Sequence, residues 1–283
     1  MTVSLDAAQS FILRNARLLD RRRLQLLLDV GGPEDVVTAL RAYRNPDGGF
    51  GNALEPDIRG WSSQPVGAQI ALEVLREAGG RDDALTRDLL DWCAGTAIGD
   101  ALPFVLPSVG QAPAAPWWVP DGRPSLNPTA AIVGIARGLG LAHPWLERAA
   151  AWCWQALEEQ LADLDAHAAL CAVVLVDEAA APAGLTERLG ERVLDGLAAL
   201  DPAASGYVLS PLLFAPTPDS AARSWFPDAV IDAHLVALAQ QQQDDGGWPI
   251  TWEPPAGAAR AEWRGARTVA AMRTLRAYHR LPG

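Results

Sequence analysis

Apolar residues recur at spacings of three and four through most of the chain, in LTRDLLDWCAGTA, PTAAIVGIARGLGLA, PWLERAAAWCWQALEEQLADLDAHAALCAVVLVDEA and TERLGERVLDGLAAL. That period predicts helices with one buried stripe, and no run alternates as a half-buried strand would. Breaks fall at GGPED, RNPDGG, SLNPTA, LDPAAS, APTPDS and QDDGGW, where Gly, Pro and Asn or Asp end helices and start the next. At SLNPTA, Asn127 is the expected N-cap, with Pro128 in the first helical position. Two kinds of helix alternate. Segments 83 to 97, 143 to 160 and 184 to 200 carry Arg and Glu on one face and suit an outer layer, whereas 128 to 139 and 166 to 176 are apolar nearly all round and suit an inner one. The Pro-rich stretch 103 to 128 is too long for a plain connector and is expected to cover something or to act.

One unusual phrase is written twice. Asp47-Gly48-Gly49-Phe50 falls on Asp245-Gly246-Gly247-Trp248, Leu54 on Trp252, and Glu55-Pro56 on Glu253-Pro254. After a short insertion in the second copy, AQIALEVLREAG lies over TVAAMRTLRAYH, with Leu75-Arg76 on Leu275-Arg276. Each copy is therefore a helix, a Gly-rich turn, a polar loop and another helix.

The composition, 49% apolar and 20% charged over 283 residues, is that of a packed globular protein. No window holds the run of about 18 apolar residues that a membrane span needs, and the N-terminus lacks a basic segment followed by a long apolar one, so a cytoplasmic location is expected. The net charge of −11 argues against nucleic acid as a partner. Every basic residue is Arg, which excludes a Schiff-base or P-loop lysine. Cys93, Cys153 and Cys171 have no CxxC spacing and read as small apolar filler. Nothing here names a cofactor, a metal or an oligomeric state.

Gln242-Gln243-Asp244-Asp245-Gly246-Gly247-Trp248 resembles the QW repeat of squalene and oxidosqualene cyclases, and Ser63-Gln64-Pro65 resembles the loop-to-helix step after such a repeat. Protein prenyltransferase β subunits share that architecture. The resemblance implies an α/α toroid, two concentric rings of inner and outer helices around an apolar cavity. It is strong at the two ends and rests on helix alternation between them. Arg44 replaces the motif Gln in the first copy, and Phe50 replaces its Trp.

The family's acid catalysis uses a DxDD motif, which the chain lacks; the nearest match, Asp163-Leu164-Asp165-Ala166-His167, puts Asp165 at the proton donor's position. Against this stands a plain helix start. Asp82-Asp83 with Asp88 has the wrong spacing for a diphosphate-ionising Mg²⁺ site, and Asp91 with Cys93 diverges too far around a helix to share a zinc ion. Glu55, Asp57 and Glu253 follow the repeated turns. They either fix the hairpins by accepting backbone N–H groups or form an acid and base set, with Glu262 as a further partner. Trp117, Trp118, Trp225, Trp252 and Trp263 sit in or beside loops and suit a pocket rim or a cover over helix ends. Arg59, Arg223 and Arg264 are candidates to hold an anionic group on a substrate.

The expectation is one all-α domain over residues 1 to 283, a toroid of about ten to twelve helices. Three functions stay open. One is a small terpenoid-cyclase-like enzyme acting on an isoprenoid or other small apolar molecule, with acid catalysis from Asp165 or Glu55 and Asp57. The others are a glycan-active hydrolase or lyase on paired helical rings and a hydrophobic-ligand carrier without catalysis.

Overall fold

The computed structural model describes residues 3–79, 83–204 and 208–281. Its helices are α1 (Leu5–Asn15), α2 (Leu18–Leu27), α3 (Pro33–Leu40), α4 (Pro65–Glu77), α5 (Asp83–Thr96), α6 (Leu126–Gly138), α7 (Pro144–Gln160), α8 (Ala166–Glu178), α9 (Leu185–Leu194), α10 (Pro211–Phe214), α11 (Asp228–Gln240) and α12 (Gly257–Ala277). Among the described residues the only β contacts are isolated bridges. The fold is all-α.

The packing order follows from which faces are apolar. α6 buries every residue from Pro128 to Ala136 and lies against α4, α7 and α8. α8 touches α9 and α10, α10 touches α11, and α11 touches α12. α12 packs on α1 and α2, α2 on α3, and α3 on α4, so the circuit of contacts returns to its start.

The repeated phrase folds into the same turn twice. Asn45 N–H donates to Gly49 O at 2.9 Å, as Gln243 N–H does to Gly247 O at 2.9 Å. Asp47 Oδ1 accepts from Gly49 N–H at 2.9 Å, and Asp245 Oδ1 from Gly247 N–H at 3.1 Å. Gly48 and Gly246 hold φ of 90° and 93°, a region that side chains disfavour. A Cβ at Gly48 would meet Asp88 O of α5 at 2.7 Å, and one at Gly246 would meet Ala7 O of α1 at 2.1 Å. The first turn thus seats on α5 and the second on α1. Behind them Phe50 and Trp248 are fully buried.

The ends of the chain meet at the second turn. Gln242 Oε1 accepts from Ser4 N–H at 2.8 Å, and its Nε2 donates to Ser4 O at 2.9 Å. α2, α4 and α12 meet around a charged cluster. Fully buried Asp20 pairs with Arg17 and Arg23, while Glu77 pairs with Arg23 and Arg273. Buried carboxylates survive in such a place only with several donors each.

Two boundaries differ from the sequence reading. The helix expected over 184 to 200 ends at Leu194, since Gly196 takes φ 87°. At SLNPTA it is Ser125 whose side chain accepts a backbone N–H, that of Asn127 at 3.2 Å; the Asn127 amide oxygen instead accepts from Cys171 Sγ.

Candidate functional site

α12 begins two turns earlier, relative to the repeat, than α4 does. Those added turns carry Glu262 and Trp263 to the 55–59 loop of the first copy. Arg59 pairs with Glu262 through both terminal nitrogens, and its Nη1 also donates to Pro56 O at 3.3 Å. Trp252 Nε1 donates to Asp57 Oδ2 at 3.1 Å. The Trp252 and Trp263 rings meet edge to face with centroids 5.1 Å apart. Trp263 Nε1 lies beside the same carboxylate without meeting hydrogen-bond geometry, and Asp57 Oδ1 has no partner.

The Pro-rich stretch covers this loop from the other side. Ala115 N–H donates to Asp57 O at 2.9 Å, and Arg59 N–H donates to Pro113 O at 2.9 Å. Gln64 anchors the cover, accepting from Leu106 N–H at 2.9 Å and donating to Ser108 Oγ at 2.9 Å. Trp118 stacks on Phe104 with centroids 4.9 Å apart, in a small apolar cluster with Ile58, Val105 and Val109. From the third side Arg17 donates to Leu54 O at 2.9 Å and lies over the Tyr43 ring.

Glu55 and Asp57 are thereby enclosed, with 7% and 2% of their surface exposed. Burial pushes the Glu55 carboxyl up to about 8; nearby Asp57 adds to the rise, and the Asp57 N–H, which donates to Glu55 Oε1 at 3.1 Å, opposes it. Burial also raises Asp57, against the restraint of Trp263, Trp252 and Arg59. A third carboxyl, Glu73 on α4, is raised by burial as well; it accepts from Gln69 Nε2 at 2.7 Å and interacts electrostatically with Glu55. Sequence reading missed Glu73, although Gln69, Glu73 and Glu77 form a polar stripe at helical spacing on a helix otherwise rich in buried apolar residues.

A void of about 10 Å³ lies between Phe50, Leu54, Glu55, Ile58 and Gln64, room for about one water. A wider open groove, about 350 Å³, lies away from the carboxyls, between Arg41, Arg44, Pro46, Leu85 and Asp88.

The remaining sequence candidates sit elsewhere. Asp165 is the N-cap of α8, accepting from His167 and Ala168 N–H at 2.8 and 2.9 Å. Glu253 is exposed and pairs with Arg260 of its own segment, so it does not face Glu55. Arg264 pairs with Asp245 through two 2.7 Å contacts, lies over Phe11 and binds Trp248 O, which makes it part of the second turn. Arg223 pairs with Asp228, Trp225 packs on Gly190 of α9, and Trp117 is exposed. All three cysteines are buried, and burial raises their thiols, as inert filler requires. Asp82 lies outside the described residues. Among those described, no group of three or more His, Cys, Asp or Glu side chains is placed to hold a metal, and no helix is long and apolar enough to cross a membrane.

No family model matches the chain, and no curated protein does. Among solved structures it resembles the crystal structure of a protein from Actinoplanes, with a TM-score of 0.62 and 15% identity, over 97% of this chain and 99% of that one. The likeness is one of fold, and it runs the full length of both.

Proposed function

We propose that the chain is an acid–base enzyme in which Glu55 keeps its proton at neutral pH and Asp57 is its partner. The observation that carries this is a fully enclosed carboxyl, pushed up to about 8, with a second carboxylate beside it held by an indole N–H. Burial raises both carboxyls, and what separates them is that Asp57 also accepts the Trp252 indole N–H, which favours its ionised form, whereas Glu55 accepts only a backbone N–H. In the reaction, Glu55 gives its proton to the oxygen of the bond that breaks, while Asp57 accepts a proton from the water that replaces it. An acid titrating near 8 suits transfer to and from oxygen at neutral pH and is a poor donor to an unactivated alkene. Hydrolysis of a bond to oxygen, in a glycoside or similar hydroxylated compound, fits that acid best, and it requires the space beside Glu55, which holds about one water, to open.

Acid-initiated cyclisation of an isoprenoid is the second reading. The edge-to-face pair of Trp252 and Trp263 beside Asp57 favours it, because indole faces stabilise a developing cation.

The test is a carboxyl-carbon NMR titration of protein labelled at glutamate, with Glu55 assigned by its loss in Glu55→Gln, alongside turnover of aryl glycosides and polyprenyl substrates. A midpoint near 8 with glycoside turnover abolished in Glu55→Gln is expected. A Glu55 ionised at pH 7 overturns the proposal, and turnover of the polyprenyl substrates alone moves it to the second reading.

A further inference from the structure

The Pro-rich strap over the Glu55 and Asp57 segment is pinned at its base and lightly held along its length. At the base, Ser125 N–H donates to Leu102 O at 2.8 Å, Leu102 N–H donates to Thr129 Oγ1 at 3.0 Å, and Pro103 pairs with Pro124 in an isolated bridge. Leu102 belongs to the main core and Thr129 is a buried residue of α6, so the base is fixed. From 104 to 120 the strap has no ionisable side chain, so no ion pair ties it down. It is held to residues 55–64 by the two bonds of the Gln64 side chain, by Arg59 N–H to Pro113 O, by Ala115 N–H to Asp57 O and by Ser62 Oγ to Gln111 Oε1 at 3.2 Å. Its apolar contacts, Val105 and Val109 on Ile58 with Phe104 and Trp118 packed against them, form a cluster separate from the main core. Lifting the strap breaks these contacts and leaves the packing of the helices intact.

With the strap down, two polar atoms of this region lack a partner: Trp118 Nε1 on the strap and Asp57 Oδ1 in the segment it covers, both buried. The two residues are linked through Ala115, whose O accepts from Trp118 N–H at 3.1 Å while its N–H donates to Asp57 O. A buried polar atom without a partner favours a state in which water or a ligand reaches it. The closed state also leaves space for only about one water beside Glu55, so no substrate enters until some part of the enclosure moves. α4 and α12, which flank the cluster, bury their apolar faces in the main core; the strap is the part that does not.

We infer that residues 103–124 form a lid, which lifts as a unit about its base at Leu102 and Ser125 and admits the substrate to Glu55 and Asp57. Long loops with fixed ends commonly gate enclosed sites in this way. What the lid admits rests on reading that pair as the site; the motion itself does not.

Amide hydrogen exchange of the wild type, followed residue by residue by NMR, tests the lid. Leu106, Arg59 and Ala115 N–H each donate across the seam between strap and body. They are expected to exchange through one common opening, about a hundredfold or more faster than the amides of α6 and than Ser125 N–H at the base. Gln64→Ala removes the side chain that bonds the strap twice; it is expected to speed all three amides about tenfold and to leave α6 and Ser125 unchanged. Ser108→Ala, which removes the partner on the strap, is expected to act in the same direction by about threefold, and it carries the test if Gln64→Ala does not fold. Seam amides that exchange only together with α6, or that respond to these variants one at a time, overturn the lid. A common opening in a protein whose Glu55 is ionised at pH 7 upholds the lid and removes only the acid–base reading, whereas exchange only with α6 in a protein whose Glu55 titrates near 8 overturns the lid and leaves that reading standing.

Discussion

The indole N–H of Trp252 meets the carboxylate of Asp57 at 3.1 Å across 195 residues of chain. The two residues follow the two copies of the Asp-Gly-Gly turn, so the contact ties the paired segments face to face. Trp252→Phe keeps the ring and removes the donor. Asp57 is then expected to titrate higher, and stability to fall by about 1–2 kcal/mol, the cost of leaving a buried acceptor unpaired. Urea unfolding and a carboxyl titration of Asp57 check the two effects; an unchanged Asp57 midpoint would show that the bond does not form in solution.

Glu55 makes stability depend on pH in an unusual direction. Its folded value, about 8, lies above the ordinary 4.5. Between these values the folded state holds a proton that the unfolded chain has released, so stability is full below the ordinary value and is lost as pH rises toward the folded one. The loss is at most about 4–5 kcal/mol, at about 1.4 kcal/mol per pH unit. Asp57 and Glu73, raised in the same direction, add to the slope. Denaturant unfolding between pH 5 and 8 is expected to show the wild type weakening and Glu55→Gln following a flatter line.

The turns were legible in the sequence because Asp-Gly-Gly followed by an aromatic has few other uses: a positive φ, an aspartate accepting from the chain two residues on, and a buried ring. The all-helical character, read from the spacing of apolar residues, likewise survived translation into structure. The site was legible only in part. Glu55, Asp57, Arg59, Trp252 and Trp263 come together, while Glu253, carried by the same repeat as Glu55, turns to the surface. The reason is the early start of α12, which replaces the polar loop of the first copy with helix and gives Glu253 a local arginine in place of a buried seat. Arg17, Tyr43 and Glu73 reach the cluster through tertiary packing, which a single sequence does not display.

Gly48 and Gly246 carry both a positive φ and a backbone oxygen where a Cβ would go. Gly48→Ala and Gly246→Ala are each expected to cost more than the strain of about 1–2 kcal/mol that a left-handed residue meets. Gly122→Ala, with φ 68° and open space around it, is the control for strain alone. Equal losses in all three would deny the close seating on α1 and α5.

Asp165 separates capping from catalysis. As the N-cap of α8 it is expected to cost about 1 kcal/mol when replaced by Ala and far less when replaced by Ser, another good cap. Any turnover is expected to persist in Asp165→Ser. Loss of turnover with stability retained would return Asp165 to the proton donor's role.

Glu77 tests whether the circuit of helices is closed by charge as well as by shape. It accepts from Arg23 Nε and Nη2 at 2.7 and 2.6 Å and pairs with Arg273, joining α4 to α2 and α12. Burial works to raise its carboxyl, but Arg23 and Arg273 hold it below the ordinary value, so its contribution is present at neutral pH and is lost as pH falls through that lowered value. Glu77→Gln leaves buried Arg23 with only Asp20 as a counter-charge, a change expected to cost about 3–5 kcal/mol. Adding Arg273→Met to Glu77→Gln removes the cation that has lost its carboxylate partner and is expected to recover part of that loss. If the double variant is weaker than the single one by the full effect of Arg273→Met alone, the two residues act independently and the helices are joined by packing without the ion pair.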